Sequence, residues 1–223
     1  MGLLQNHVAL VTGAAKRIGK VLALALAESG ANVAITYRDS EAEATRTVAE
    51  LRALGIQADA FQCNVRSPDS IRQAVAAVAA AFGRIDILVN NAGIFETAAL
   101  ESITVPQWDA MFETNTRGPF LVSQAAYPHL KAALHMLTAT MSKAFAPEMS
   151  VNCVAPGMIA TNGNTSTTGS GQETAAEYEH FAQRTPMRRN GTPQDVAEAV
   201  LFFATGPHFI TGQILGVDGG LGL

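Results

Sequence analysis

The residues best suited to chemistry stand in a short turn near the amino end of the chain. This turn reads TGAAKRIG over residues 12–19, follows an apolar run at residues 7–11 and opens directly into a helical pattern. Such a turn directs backbone N–H groups and the positive end of a helix dipole toward a bound phosphate, and its small residues let a pyrophosphate approach. A glycine-rich turn is a weak signal alone, but this strand-turn-helix context predicts a dinucleotide site.

The end of the second predicted strand suggests which dinucleotide is preferred. A carboxylate at this place would bind the ribose diol of NAD and repel a 2'-phosphate, whereas this chain has Tyr37 and Arg38. Arg38 can pair with a phosphate through two hydrogen bonds, and Lys16 or Arg17 could add a second positive charge. The sequence therefore favours NADPH over NADH. The alternative is that Arg38 is a solvated charge and Asp39 takes the ribose.

The elements that position these residues alternate between strands and helices. Strands are predicted over residues 7–11, 32–37, 58–65 and 85–89, and helices over residues 17–29, 41–54 and 69–82, with Ser67 as the amino-terminal cap of the third helix and Gly83 as its stop. This alternation predicts an α/β protein: a single Rossmann-type, doubly wound parallel sheet with helices on both faces, in one domain over residues 1–223.

The order is less regular after Gly93. Residues 105–130 and 131–145 both read as helical, and a strand at 151–154, a helix at 193–204 and a final strand at 214–217 follow. Residues 162–174 are rich in Gly, Ser, Thr and Asn, which predicts a mobile excursion that is either a substrate lid or an inert surface loop.

Composition excludes several classes of function. The net charge is −4, and no basic stripe gathers on one segment, which argues against a nucleic-acid partner. No run approaches the roughly 18 apolar residues of a membrane span, and the start lacks the features of a signal peptide. Cys63 and Cys153 read as buried free thiols, which suits a cytoplasmic protein, and no histidine spacing suggests a metal site.

Further motifs make the whole chain resemble the short-chain dehydrogenase/reductase family. They are the turn at residues 12–19, Asn91-Ala92-Gly93 after the fourth strand, Asn115 in NTRG, the Pro156-Gly157 turn and the Asp218-Gly219-Gly220 ending. Arg17 replaces the middle glycine of the usual turn, and Lys16-Arg17 resembles a pteridine-reductase-like branch. The 3-oxoacyl-carrier-protein reductases are the other branch that the chain resembles.

The resemblance implies a set of cofactor-binding residues. They are Gly13, Ala15, Lys16, Arg17, Ile18, Gly19, Tyr37, Arg38, Ser40, Asn64, Val65, Asn91, Ala92, Gly93, Lys131, Pro156, Gly157 and Ile159. It places Asn64 and Val65 near the adenine, residues 91–93 along the ribose and phosphates, and Pro156, Gly157 and Ile159 against the nicotinamide. It also implies that the apolar ending 215–223 packs at a subunit interface of a homotetramer, the alternative being core packing within one subunit.

The family's catalytic serine strand and catalytic tyrosine are not recognisable. Tyr127 and Lys131 have the family's Tyr-to-Lys spacing, but we interpret Tyr127 as a residue of the helix that begins before Asn115. Lys131 instead resembles the catalytic lysine at the start of the next helix, the alternative being that it ends the earlier helix. We therefore expect that a strand, two loops and the tyrosine, on the order of 20 to 30 residues, are missing between Leu130 and Lys131.

These observations predict an NADPH-dependent oxidoreductase that reduces a carbonyl or C=N group of a small organic substrate, such as a 3-oxoacyl thioester or a pteridine. In this interpretation Asn115 and Lys131 are catalytic: Asn115 supports a proton relay through water, and Lys131 lowers the pKa of the unseen tyrosine. If the segment is truly absent, the alternative is a catalytically inactive NADP-binding or regulatory protein.

Overall fold

The computed structural model describes residues 2–96, 101–129, 150–160, 175–206 and 209–221. Its strands are β1 (Val8–Val11), β2 (Asn32–Tyr37), β3 (Ala58–Gln62), β4 (Ile87–Val89), β5 (Cys153–Pro156) and β6 (Ile214–Val217). Its helices are α1 (Arg17–Glu28), α2 (Glu41–Ala53), α3 (Pro68–Phe82), α4 (Val105–Phe112), α5 (Gly118–Ala126), α6 (Ala175–Arg184) and α7 (Pro193–Thr205).

The strands form parallel sheets, as predicted. Four of them lie in the order β3-β2-β1-β4, and β5 pairs with β6 in parallel. The register places Leu10 of β1 between Ala34 of β2 and Leu88 of β4. Because β1 and β2 are joined through α1, and β2 and β3 through α2, the first half of the chain is a regular alternating α/β unit.

Alternate strand residues pack against opposite layers of helices. Val11 and Ile35 point into a core that includes Leu26 of α1 and Val196 of α7. Leu10 and Ala34 point into a second core with α3 and α5. Both faces of the sheet are therefore covered, which confirms the prediction of a doubly wound fold and explains why the central strands are apolar at consecutive positions.

The predicted ends of α3 are confirmed. The Ser67 side chain accepts a hydrogen bond from the Ser70 amide, Pro68 opens the helix, and Gly83 ends it with a φ of 76°. A left-handed residue at the end of a helix is the conformation in which glycine has no Cβ penalty.

The helical pattern predicted over residues 105–130 is interrupted. A π-helical turn (Glu113–Arg117) separates α4 from α5, and a 3₁₀ turn (Tyr127–His129) follows α5. Helix α6 was not predicted, although AAEYEHFAQR contains good helix formers, because glycine-rich residues without helical periodicity precede it directly.

The second half of the chain is described only in parts. Strand β5 begins two residues later than predicted, and no pairing between β4 and β5 occurs among the described strands. The predicted helix at 131–145 and the predicted excursion at 162–174 lie outside the described residues. Within the part of the chain that the structure describes, no helix is long and apolar enough to cross a membrane.

Candidate functional site

A cavity of about 500 Å³ lies where the first four strands end. It is lined by residues that follow β1, β2, β3 and β4, which meet at one edge because parallel strands end on the same side of a sheet. The predicted residues that it brings together are Gly13, Lys16, Arg17, Ile18, Gly19, Tyr37, Arg38, Ser40, Asn64, Val65, Asn91, Ala92 and Gly93.

Sequence reasoning missed other residues of the lining. They are Thr36, Cys63, Arg66, Ile94 and Thr114; Asp39, which the sequence offered only as the alternative partner of the ribose, also lines the cavity. Most of them are immediate neighbours of predicted residues at strand ends, so their position after a strand was the available signal. Ala15 does not line the cavity, because this residue of the turn is buried in the core.

Hydrogen bonds fasten the turn after β1 to the loop after β4. The Asn91 side chain donates to the carbonyls of Thr12 and Gly13 at 2.9 and 3.1 Å. The Thr12 hydroxyl accepts from the amides of Asn91 and Ala92, both at 3.0 Å. A Cβ at Gly19 would lie 2.5 Å from the Asn91 side-chain nitrogen, so this close approach requires glycine.

Four cationic side chains and one carboxylate line the cavity. The cations are Lys16, Arg17, Arg38 and Arg66, and the carboxylate is Asp39. The cavity is therefore electropositive although the chain as a whole has a net charge of −4. Such a site attracts an anionic ligand.

Three of these cations have carboxylate neighbours: Arg66 pairs with Glu113 at 2.8 Å, and the other two pairs are more exposed. The Arg38 Nε atom donates to Asp39 at 2.5 Å, and the Lys16 Nζ atom lies 3.8 Å from Glu43 on α2. All four side chains are substantially exposed, so both pairs contribute little stability and a phosphate can compete for the two cations.

The loop after β3 provides a further wall. The Asn64 side-chain oxygen accepts a hydrogen bond from the Arg66 amide at 3.1 Å, and its own amide donates to the Ser70 hydroxyl at 2.9 Å. Burial raises the pKa of the adjacent Cys63 thiol to about 11. Cys63 is therefore protonated at neutral pH and is not a nucleophile.

Asn115 lies beside the cavity, on the π-helical turn. Its side chain donates to the Ile94 carbonyl at 2.7 Å and accepts from the Ile94 amide at 2.9 Å. These two bonds hold the backbone of the loop after β4, next to Gly93. The π-helical turn thus brings a polar side chain to the loop after β4, as such turns often do at functional sites.

The residues assigned to the nicotinamide do not line this cavity. Pro156 is exposed, Gly157 approaches Asp218, and Ile159 is 2% exposed and forms a bridge with Gly191. The segments that flank this part of the chain, residues 130–149 and 161–174, lie outside the described residues.

Tyr127 lies near the end of the sheet where the strands begin, opposite the cavity. The carbonyl of His129, two residues later, accepts a hydrogen bond from the amide of Ile85, which precedes β4. The cavity instead lies beyond the last residue of β4. Tyr127 is therefore distant from the cavity, and it lies in the 3₁₀ turn that directly follows α5 instead of in the predicted long helix. Lys131 and the junction with Leu130 lie outside the described residues.

Two protein-family models match the chain. The short chain dehydrogenase model matches residues 7–131, and the enoyl-(acyl carrier protein) reductase model matches residues 125–222. The two matches overlap at residues 125–131, which include the junction of Leu130 and Lys131 where a segment of the family is expected to be missing.

Curated relatives match the chain from end to end. An uncharacterised oxidoreductase of Methylorubrum extorquens is 34% identical over 250 positions, covering 99% of this chain and 100% of that protein. A 3-oxoacyl-[acyl-carrier-protein] reductase of Synechocystis is 36% identical over 253 positions and covers 99% of each. Because the chain has 223 residues, at least 27 of the 250 positions, the difference of those two lengths, face no residue here.

Solved structures share the fold. A short chain dehydrogenase from Burkholderia cenocepacia, crystallised with NADP, is 34% identical with a TM-score of 0.88 and full coverage of both chains. A blue fluorescent protein from a metagenomic library, crystallised with NADPH, is 29% identical with a TM-score of 0.87 and 99% coverage of both.

Proposed function

The chain belongs to the short-chain dehydrogenase family, and on that premise we propose that it is an NADPH-dependent oxidoreductase. It reduces a carbonyl or C=N group of a small organic substrate, such as a 3-oxoacyl thioester or a pteridine. The similarity to a 3-oxoacyl-[acyl-carrier-protein] reductase supports the thioester, and Lys16-Arg17 supports the pteridine.

The observation that carries the cofactor proposal is the excess of cations in the cavity. NADPH has one more phosphate than NADH, on the adenosine ribose. Lys16, in the turn after β1, and Arg38, directly after β2, line the part of the cavity to which we assign this phosphate. A guanidinium binds phosphate through two parallel hydrogen bonds, and NADH has no phosphate on the adenosine ribose to accept them. A carboxylate at the position of Arg38 would give the opposite preference.

The remaining groups of the cofactor fit the other walls. The turn at residues 12–19 and the first amides of α1 receive the pyrophosphate, because those amides lack partners within the helix. Asn64 and Val65 contact the adenine, and residues 91–93 follow the ribose and phosphates. Pro156, Gly157 and Ile159 are assigned to the nicotinamide, which requires them to approach the cavity when the cofactor is bound.

Bound NADPH supplies the hydride, and the chain's own residues supply the proton and the orientation. Asn115 lies beside the cavity. Its side chain forms two hydrogen bonds with the backbone of Ile94, which fix its position near the expected substrate. We assign to it the support of a water that relays the proton. Lys131 holds the ribose and lowers the pKa of a tyrosine that this sequence does not contain at a recognisable place.

The role of Lys131 depends on the chain between residues 130 and 131. The His129 carbonyl is fixed at the amino edge of the sheet, and two further residues reach at most about 7 Å. Residues 85–89 alone extend across about 13 Å of the sheet toward the cavity. A catalytic Lys131 therefore requires additional residues before it.

A second candidate function follows from this constraint. If Leu130 and Lys131 are bonded, the chain keeps the cofactor cavity and lacks the catalytic tyrosine, which makes it a catalytically inactive NADP-binding or regulatory protein. Two observations support this candidate. The two family matches overlap at residues 125–131, and at least 27 positions of the comparison with the Methylorubrum relative align with no residue of this chain.

The assembly and compartment are also proposals. Ile214 and Leu215 of β6 are 70% and 38% exposed in the single chain, which favours an interface over core packing for the apolar ending. We infer a homotetramer, which light scattering of the purified protein tests. The thiols of Cys63 and Cys153 are free, which suits the cytoplasm.

Two measurements on the protein isolated from its natural source test the proposal. The first is its intact mass, compared with 23.4 kDa. The second is the consumption of NADPH with a panel of ketones, 3-oxoacyl thioesters and pterins. A heavier chain that oxidises NADPH with a carbonyl compound supports the reductase. A mass of 23.4 kDa with cofactor binding and no turnover contradicts it and supports the inactive binding protein.

A further inference from the structure

Helix α2 carries two threonines whose hydroxyls have different partners. Thr45 is exposed and donates to the Glu41 carbonyl four residues earlier, at 3.0 Å, which is the usual bond of a helical threonine. Thr47 is 1% exposed and donates to the Ala15 carbonyl at 2.9 Å. One buried hydroxyl thus links α2 to the turn after β1.

The place of Thr47 would suit an apolar residue better. It belongs to the buried side of α2 together with Ala44, Val48 and Leu51. A β-branched residue is a weaker helix former than alanine, and a buried hydroxyl is destabilising unless it is hydrogen-bonded. The polar group at this position therefore serves its partner, Ala15, rather than the helix.

The bond fixes the orientation of one peptide plane in the turn. In a planar trans peptide the C=O and the following N–H point in opposite directions. Because the Ala15 carbonyl points to Thr47, the Lys16 amide points away from α2. The amides of Gly13 and Ala14 are bound to Thr36 on β2 and are not free for a ligand. Lys16 directly precedes α1, so its amide lies next to the first-turn amides of that helix.

We propose that Thr47 is a positioning residue for the phosphates of the dinucleotide. Its hydroxyl holds the Ala15–Lys16 peptide so that the Lys16 amide, beside the Lys16 and Arg17 side chains, joins the amides of α1 as a phosphate donor. This inference rests on the proposed cofactor site. Thr47 does not line the cavity, so it acts only through the turn.

The test measures the dissociation constant of NADPH by fluorescence titration, together with the melting temperature, for the unmodified chain and four variants. Thr47→Val removes the hydroxyl at nearly constant volume, and Thr47→Ser keeps it. Thr45→Val removes the neighbouring hydroxyl that bonds within the helix. Val48→Ala weakens the packing of α2 and leaves the Thr47 hydroxyl in place.

The inference predicts that Thr47→Val weakens NADPH binding about tenfold, the effect of a lost amide-to-phosphate hydrogen bond. Thr47→Ser, Thr45→Val and Val48→Ala should bind within about twofold of the unmodified chain. Titrations are made well below each melting temperature, because global destabilisation then leaves the folded fraction, and hence the apparent affinity, unchanged.

Three outcomes would overturn the inference. They are binding by Thr47→Val as tight as that of the unmodified chain, equal losses in Thr47→Val and Thr47→Ser, or equal losses in Thr47→Val and Val48→Ala. The last would mean that packing of α2, not the hydroxyl, matters. If the unmodified chain itself fails to bind NADPH, the proposed function is wrong, and this inference is wrong with it.

Discussion

Arg17 adopts a backbone conformation that glycine tolerates and most residues avoid. Its φ is 57°, at the first position of α1. A left-handed conformation costs a non-glycine residue about 1 kcal/mol. The arginine side chain lines the cavity, so a phosphate contact is the gain that would offset this strain.

Replacing Arg17 by glycine should separate stability from binding. Relief of the strain should raise the melting temperature by a few degrees, about 3 °C per kcal/mol for a chain of this size. Loss of the cation should weaken NADPH binding about threefold or more. Calorimetry and NADPH titration measure the two effects.

Arg188 offers a matched control, because its φ is 55° and it is not among the cavity residues. Arg188→Gly loses a hydrogen bond to the Gln183 carbonyl, so a smaller rise in melting temperature is expected, with unchanged NADPH affinity. Equal losses of affinity in both variants would show that the Arg17 side chain does not contact the ligand.

At the scale of the elements, the π-helical turn connects two walls of the cavity. Glu113 accepts from Arg66 at 2.9 Å and pairs with Arg117 at 2.9 Å, while Asn115 holds Ile94. A Cβ at Gly118 would lie 2.9 Å from the Val65 carbonyl. The turn therefore joins the loops that follow β3 and β4, which form two walls of the cavity.

Glu113→Gln should loosen this connection. Hydrogen bonds from Arg66 and the nearby charges of Arg117 and Arg66 lower the pKa of Glu113, so the carboxylate is ionised at neutral pH. Because exposed ion pairs contribute little, NADPH affinity should fall by no more than about fivefold. Glu50→Gln, which breaks the exposed Lys20 pair between α1 and α2, should leave affinity unchanged. A similar loss in both variants would contradict a specific role for the turn.

Helix α7 should add an acid-sensitive contribution to stability. Asp195 accepts from the Thr192 amide at 2.6 Å and pairs with Arg189 through both carboxylate oxygens. The Arg189 guanidinium and then Thr192 hold the pKa of Asp195 well below its ordinary value. Because the folded-state pKa is depressed, the stabilisation is complete above the ordinary pKa of about 4 and is lost as the pH falls below it.

Asp195→Asn should therefore destabilise the chain by about 1 kcal/mol at neutral pH and by less near pH 2. Urea unfolding at several pH values measures this difference. Glu198→Gln on the same helix removes a carboxylate that acts on Arg189 only through its charge and does not cap the helix, so it should show a smaller effect. A destabilisation by Asp195→Asn that is independent of pH would contradict the account.

At the scale of the molecule, the sequence predicts the first half of the chain well. Residues 8–11, 32–37 and 68–82 form the expected strands and helix, because apolar periodicity, Ser67 and Gly83 all favour the same elements. Thirteen of the predicted binding residues line one cavity, since glycine and asparagine after parallel strands have a fixed place in this fold.

Other features depend on contacts that local patterns do not contain. The shortening of β3 to Ala58–Gln62, the π-helical turn around Asn115 and the link from Thr47 to Ala15 all arise from packing between distant segments. Arg66 was missed because an arginine on a loop after a strand has no distinctive spacing. Pro156 and Gly157 do not line the cavity, so their assignment to the nicotinamide stays a proposal.

The most direct test of the account is a calorimetric titration of the unmodified chain with NADPH and with NADH. The cation-rich cavity predicts that NADPH binds at least about tenfold more tightly, and that Arg38→Gln removes most of this preference. Equal affinity for the two cofactors, tighter binding of NADH, or no binding of either would contradict the assignment of this cavity.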